Sequence, residues 1–390
     1  MYQFTYSIPT KINFGPDKIQ NVGEELSAFG KKVLIVYGGG SIKRTGLYDK
    51  VIDSIKKAGL TWFELPGVDP NPKVTSVNAG AKICKDEGID VLLAIGGGSV
   101  IDCTKGIAAA AFYDGDAWDF CVGKAAIGKC LPIVTILTLA ATGSEMDAIG
   151  VISNAETEQK LIIAHPNLRP AVSFLDPTLT YSVSQYQTAC GSADILSHIM
   201  EDYFVNEEGS MYMLDRFKEG MMKTVIKYAP IALAHPDNYE ARANLMWTSS
   251  WAINGFSGGL TNCEWTNHMI EHEISAIYDI THGLGLAIVT PRWMKYILDE
   301  TTAPKMREFA VNVFGVDPTL SAMDAAKEGI ACLEDFFFNK LGLKSTLGEI
   351  GIDDKNIDIM AKKACNGKAT LNGWKVLTPA QIADILRACL

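Results

Sequence analysis

The segment VLLAIGGGSVIDCTK, residues 91–105, decides the architecture of this chain. An uninterrupted apolar run ends in three glycines and a serine, and a stretch with helical spacing follows, so the segment reads as strand, tight turn, helix. The same GGGS closes a second apolar run in VLIVYGGGSIKRTG, residues 33–46. Glycine lets a backbone turn sharply and lets a phosphate approach the N–H groups that open the next helix. A tight turn with no ligand satisfies the same letters. The dinucleotide fingerprint G-x-G-x-x-G is missing from both copies, because its sixth position is Lys43 in one and Ile101 in the other. In the 96–99 copy, Ser99 is expected to cap the helix while Gly97 and Gly98 keep the approach clear. In the 38–41 copy, Lys43 and Arg44 place positive charge just beyond the loop, or simply start a solvated helix.

Working outward, KKVLIVYGG, TWFELPG, LPIVTILT, AIGVISN and AVSFLD continue the strand series. LYDKVIDSIKKAG and VTSVNAGAKICKDEG supply amphipathic helices between them. Such alternation predicts a parallel sheet wrapped by helices. From about residue 180 the rhythm changes to long helical stretches such as VSQYQTACGSADILSHIMEDYF and MYMLDRFKEGMMKTVIKYA. The expected organisation is an α/β, Rossmann-like domain over 1–180 and an all-helical domain over 181–390.

At 390 residues, 48% apolar and 21% charged, the composition is that of a globular protein. A net charge of −10 argues against nucleic acid and anionic membranes as partners. No segment reads as a secretory signal or a membrane span, and the nine cysteines form no CxxC pair. A reducing cytoplasm is the expected location.

Histidine is scarce, with six in the chain, and four lie in two segments of the helical half. In SADILSHIMED, Asp194 and His198 are four apart and share a helix face. In NHMIEHEISAIYDITHG, His268 and His272 repeat that spacing, and His282 stands before a glycine. One carboxylate with imidazoles from separate helices suits a divalent ion such as Fe²⁺ or Zn²⁺. An isolated Asp/His pair at this spacing also arises by chance, and His165 and His235, each before a proline, read as ordinary surface or core residues.

Taken in order, GGGSIKRTG, PGVDPNP, the GGGS-x-x-D-x-x-K pattern, ATGSE, DILSH and the HxxxH-x9-HG segment resemble the iron-dependent (group III) alcohol dehydrogenases. Within them they are similar to a NADPH-using, butanol dehydrogenase-like branch. The resemblance runs the whole length and implies a coenzyme-carrying α/β domain followed by a helical metal domain. It implies Asp194, His198, His268 and His282 as metal ligands, Fe²⁺ foremost, with His272 nearby as a proton relay that does not ligate. It places the pyrophosphate at Gly97, Gly98 and Ser99, with Asp102 close by. Asn71, Thr138, Leu139, Thr142, Lys160 and Leu179 match further coenzyme-contacting positions. Where NAD-preferring members often carry an acidic residue, this chain has Gly39, followed by Gly40 and Ser41, so NADP(H) is the expected coenzyme. The TLAATGSE run departs from the family's usual smaller or polar residues at Leu139 and Ala140.

The implied activity is hydride transfer between NADP(H) and a short-chain alcohol or aldehyde, with the metal polarising the oxygen. Trp251, Phe256 and Trp265 are candidates for an apolar substrate pocket, or for plain core packing. A homodimer is implied, through the N-terminal strand YQFTYSIPTKINFG. The alternative is a metal-dependent lyase or cyclase resembling dehydroquinate synthase. It would need several basic residues beside the histidine segments, and Arg216, Lys218, Lys223, Lys227 and Arg242 lie elsewhere in the sequence.

Overall fold

A computed structural model describes residues 5–205, 211–256 and 263–390. It divides into two compact units, Ser7–Ser182 and Val183–Leu390, the second also taking in Tyr6.

The first unit is built on strands β1 (Lys11–Phe14), β2 (Lys32–Tyr37), β3 (Thr61–Leu65), β4 (Val91–Gly96), β5 (Ile133–Leu137) and β8 (Val172–Leu175). They form one six-stranded sheet in the order β1-β8-β5-β4-β2-β3, and every neighbouring pair is parallel. All six residues of β4 and all five of β5 are buried, which is why these strands read as continuous apolar runs rather than alternating ones. Helices Leu47–Lys57, Val74–Glu87 and Gly98–Ala110 connect the strands. From β2 the chain moves outward to β3, then returns to place β4 on the other side of β2. Strand order therefore reverses between β2 and β4, and both GGGS loops leave from the C-terminal ends of this pair. Open parallel sheets bind their ligands at such a switch point.

One strand assignment differs from the sequence expectation. AIGVISN does not extend the sheet: β6 (Ile149–Asn154) pairs antiparallel with β7 (Gln159–Ala164) in a separate hairpin. Its burial alternates from Ile149 to Ile152, as in a two-sided hairpin and unlike the fully buried central strands. Lys11–Phe14 joins the main sheet at its edge, against β8. Tyr2–Phe4 of the segment considered for dimer formation lie outside the described residues.

The second unit is largely helical, with one departure, a hairpin of two-residue strands, β9 (Leu371–Asn372) and β10 (Val376–Leu377). At its centre the Gln185–Phe204 helix is buried continuously from Thr188 to Phe204 and packs against Tyr212–Ala234 and His282–Ile297. Phe204, Trp293, Phe309 and Met222 are among the side chains that fill this core. Each such burial stabilises the fold by roughly 1.5–3 kcal/mol before entropy is counted. The run AMDAAKEGIACLEDFFFNKLG is not one α-helix: Ala322–Glu334 is α-helical, and Asp335–Lys340 continues with the wider π hydrogen-bonding pattern.

Candidate metal centre and coenzyme loops

Three helices of the second unit supply the histidine cluster. Gln185–Phe204 carries Asp194 and His198, Thr266–Tyr278 carries His268 and His272, and His282 opens His282–Ile297. The first and third helices meet closely enough that a Cβ at Gly283 would stand 2.0 Å from the carbonyl oxygen of Cys190. Glycine is what allows His282 to reach the ligand helix.

The geometry centres on Asp194 Oδ1. Nε2 of His198 lies 3.5 Å from it, Nε2 of His282 3.8 Å and Nε2 of His268 3.9 Å. Ligand atoms held tetrahedrally at roughly 2.1 Å from a common ion are about 3.4 Å apart. Asp194 Oδ1 and His268 Nε2 are buried with no hydrogen-bond partner. Buried polar atoms are almost always satisfied, so orphaned atoms aimed at one point fit a divalent cation. Asp194, His268 and His282 also form a compact metal-competent group by their mutual ligand-atom distances.

Electrostatics agrees with that role. Burial alone would raise the Asp194 carboxyl, yet the surrounding imidazoles hold it well below the usual carboxylate range. Burial pushes His198 down to about 3, against the pull of Asp194, which leaves a neutral ring with a free lone pair. His268 goes the other way. Despite burial, Asp194 and Glu201 raise it to about 9, so an added positive charge is favoured where its proton sits.

Glu201 was not singled out by sequence. It follows His198 by three residues and accepts from the backbone N–H groups of Asn267 at 3.1 Å and His268 at 3.0 Å. The N-cap of that helix, Trp265, offers no side-chain cap, so Glu201 satisfies two of the orphan donors of the first turn. The same carboxylate meets His268 Nδ1 at 2.7 Å. Glu271, equally overlooked, meets His282 Nδ1 and accepts the Ser275 hydroxyl. His272 is buried, its ring centroid 5.4 Å from that of His282 and 6.2 Å from that of His268. Trp265 lies against the ligand rings, 5.1 Å from His268 and 5.6 Å from His198. Trp251 and Phe256 pack on each other at 5.4 Å and on Phe217, an aromatic cluster beside the helical core. His165 accepts from the Asn167 N–H, and His235 ends the 212–234 helix, so both stand apart from the cluster.

In the first unit, the 96–98 turn is packed from one side. A Cβ at Gly98 would lie 2.3 Å from Thr142 Oγ1, and one at Gly97 3.3 Å from the Cβ of Leu139. Thr138 donates its N–H to Gly96 at 3.0 Å. Gly97, Gly98, Leu139 and Thr142 are thus one assembly. Ser99 does not cap the helix. The helix begins at Gly98 with Gly97 as N-cap and no side-chain cap, so Ser99 already lies in the first turn. Val100 donates to the Gly97 carbonyl at 3.1 Å, which leaves the N–H groups of Gly98 and Ser99 to face an anion. Asp102 turns inward, accepting from Ser144 Oγ at 2.5 Å and Val151 N at 3.0 Å. Burial pushes its carboxyl up to about 6, against the pull of Lys105. Lys105 itself is fully buried between Ser144, Asp147 and the Ile149 carbonyl. The 98–110 helix is therefore pinned to the ATGSE loop by a buried ionic cluster.

The 38–41 loop is different. A Cβ at Gly39 would meet nothing within 4 Å, and Gly40 adopts φ +87°. Ser41 opens a single helical turn to Arg44. Lys43 Nζ stands 3.5 Å from Glu64 and faces the rings of Tyr37 and Tyr48 at 5.0 and 4.6 Å. Tyr37 donates to Glu64 at 2.6 Å, and Tyr48 donates to its other oxygen. Burial works to raise Glu64, but these hydrogen bonds hold it below its ordinary value. Asn71 is buried with φ +50°. Next to it, Pro72 accepts from Ser153, whose strand partner is Lys160, so the β6–β7 hairpin sets both residues beside one segment. Leu179 lies in the turn Pro177–Thr180 that follows β8 and packs against the core of the sheet.

The sequence model for the iron-containing alcohol dehydrogenase matches residues 9–177, and that for the C-terminal part of the Fe-containing alcohol dehydrogenase family matches 188–390. The NADH-dependent butanol dehydrogenase B of Clostridium acetobutylicum is 52% identical over 389 residues, spanning 99% of this chain and 98% of that protein. An NADPH-dependent aldehyde reductase of Escherichia coli is 36% identical over 366 residues, 93% of each. The crystal structure of an NADH-dependent butanol dehydrogenase A from Thermotoga maritima matches with a TM-score of 0.95 at 38% identity, covering 100% of this chain and 99% of that one.

Proposed function

The chain belongs to the iron-containing alcohol dehydrogenase family, and we propose that it reduces short aliphatic aldehydes with NADPH and oxidises the matching alcohols in reverse. Membership makes it a metal-dependent alcohol/aldehyde oxidoreductase, and the matches describe dehydrogenases and a reductase, so the lyase alternative is set aside. The observation that carries the reading is the convergence of three Nε2 atoms on Asp194 Oδ1 within 3.9 Å.

A divalent ion in this set supplies Lewis acidity to a substrate oxygen, and a nicotinamide supplies or accepts the hydride. Asp194 contributes the single charge among the four ligands, and the imidazoles of His198, His268 and His282 complete the set. His272, the imidazole left over, takes up and returns the proton of the alcohol. The uncapped first turn at Gly97–Ser99 holds the pyrophosphate, with Thr138, Leu139 and Thr142 lining it. Asn71, Lys160 and Leu179 complete the coenzyme contacts, and Asp102, close by but turned inward onto Ser144 and Val151, holds the helix that carries the turn. Trp265, beside the ligand rings, offers an apolar surface to the substrate chain.

For the coenzyme, Gly39 leaves open space where a carboxylate would repel a 2′-phosphate, and Lys43 supplies positive charge one turn further on. A second reading, NADH, is favoured by Glu64. Its carboxylate occupies Lys43 and offers an acceptor to a ribose hydroxyl, in keeping with the coenzyme of the Clostridium relative. The ratio of kcat/KM for NADPH and NADH with butanal on the iron-loaded protein decides. A ratio above one supports the first reading, and a preference for NADH overturns it. Oxidation of neither coenzyme with any short aldehyde would sink the reductase reading itself.

A homodimer is part of this proposal, supported by the edge position of β1, and light scattering at the mass of one chain would exclude it. Among the described residues no helix is long and apolar enough to cross a membrane, and we place the enzyme in the cytoplasm.

A further inference from the structure

We propose that Glu271 is the positioning residue for the His282 ligand, a role that rests on the metal reading of the preceding section. Glu271 is fully buried on the 266–278 helix between His268 and His272. Its Oε2 meets Nδ1 of His282, and its Oε1 accepts the hydroxyl of Ser275, one turn along the same helix.

His282 is the ligand with the least packing to hold it. Its side chain is 21% accessible, against 5% for His198 and 9% for His268. It is also the first residue of its helix, with no side-chain cap in front of it. A neutral imidazole carries its proton on one nitrogen only. A carboxylate accepting at Nδ1 keeps the proton there and leaves the Nε2 lone pair for the ion. That Nε2 lies 3.8 Å from Asp194 Oδ1, so the tautomer and the ring rotation that Glu271 selects are the ligating ones.

Space for this carboxylate is cut into the facing helix. A Cβ at Gly285 would stand 2.6 Å from Glu271 Cγ and 2.8 Å from its Oε1. His198 supplies the contrast. Its Nδ1 has no hydrogen-bond partner, and its ring is fixed by burial and by stacking on His268 at 4.7 Å and 16°. His198 has no carboxylate on its Nδ1, whereas the buried His268 has Glu201 there and the more accessible His282 has the buried Glu271.

The test uses metal-free full-length protein titrated with Co²⁺, without coenzyme or aldehyde, and follows the visible absorption of the bound ion. Glu271→Gln keeps the volume and one acceptor but loses the charge, and Glu271→Ala loses both. Expected losses of Co²⁺ affinity are about 10-fold for Gln and up to about 100-fold for Ala, with a shifted absorption band and an unchanged far-UV circular dichroism spectrum. If the Ala variant does not fold, the Gln variant carries the test. Co²⁺ bound by Glu271→Gln with wild-type affinity and an unshifted band overturns the assignment. Because no turnover is measured, failure of the wild type to reduce aldehydes would count against the enzyme reading alone.

Discussion

His268 is buried with Asp194 on one nitrogen and Glu201 on the other, whereas a Cβ added at Gly39 would meet nothing within 4 Å. The two positions stand for two kinds of binding site. On the proposed reading, the helical unit would bind its ion through one carboxylate and three imidazoles, buried in advance and, at His268 and His282, backed by further carboxylates. On the same reading, the α/β unit would leave recognition to backbone N–H groups and to open space. The first kind tolerates almost no substitution. The second can change its preference with a single residue, because nothing around it must rearrange.

The contrast is broken most directly at the ligands. Asp194→Ala or His268→Ala should abolish metal retention and lower kcat/KM by at least about 1000-fold, read by metal analysis and aldehyde-dependent NADPH oxidation. Full activity without bound metal would refute the ligand assignment. Within the α/β unit the packed loop should behave more like the ligand set than like its twin. Gly98→Ala drives a Cβ toward Thr142 Oγ1 at 2.3 Å, and a displacement of about 1 Å at a positioning group costs on the order of 100-fold. A coenzyme KM equal to wild type would show that the loop has slack.

Proton competition sharpens the electrostatic side of the comparison. The folded His268 titrates near 9, above its ordinary 6.5, so below pH 9 a proton must leave before a metal ion binds. Affinity for Zn²⁺ or Co²⁺ should therefore rise about tenfold per pH unit from 6.5 to 9 and level off above. Calorimetry in buffers of different ionisation enthalpy should find close to one proton released per ion at pH 7.5. A flat profile would mean that His268 is already deprotonated. The smallest effect is expected at the open loop. Gly39→Asp should move the NADPH/NADH ratio about tenfold toward NADH with metal content unchanged, since an added carboxylate there repels a 2′-phosphate and little else.

How far these sites could be read from sequence follows the rarity of their residues. With six histidines in 390 residues, paired spacings of four were conspicuous, and the fold brings Asp194, His198, His268 and His272 into one cluster with His282. The backing carboxylates were hidden among 45 acidic residues. A signal existed nonetheless, since Glu201 and Glu271 each follow a ligand histidine by three residues, one helical turn. Parallel strands were legible through their unbroken apolar runs. The β6–β7 hairpin was not, because Ile149–Asn154 carries β-branched residues in either setting and only its partner strand reveals the antiparallel pairing. The starting point of the 98–110 helix was missed for a similar reason. Serine is the better cap by preference, but the close fit of Gly98 against Thr142 starts the helix one residue before it.

Glu201 begins one helix through both carboxylate oxygens and meets the His268 imidazole through one of them. In a mutational scan that scores abundance and activity separately, its substitutions would fall on both axes at once, while those of His198 would fall on activity alone. A residue with two such duties has few neutral neighbours in sequence space, so lineages that lose the reaction have reason to keep Glu201 after the histidines have drifted.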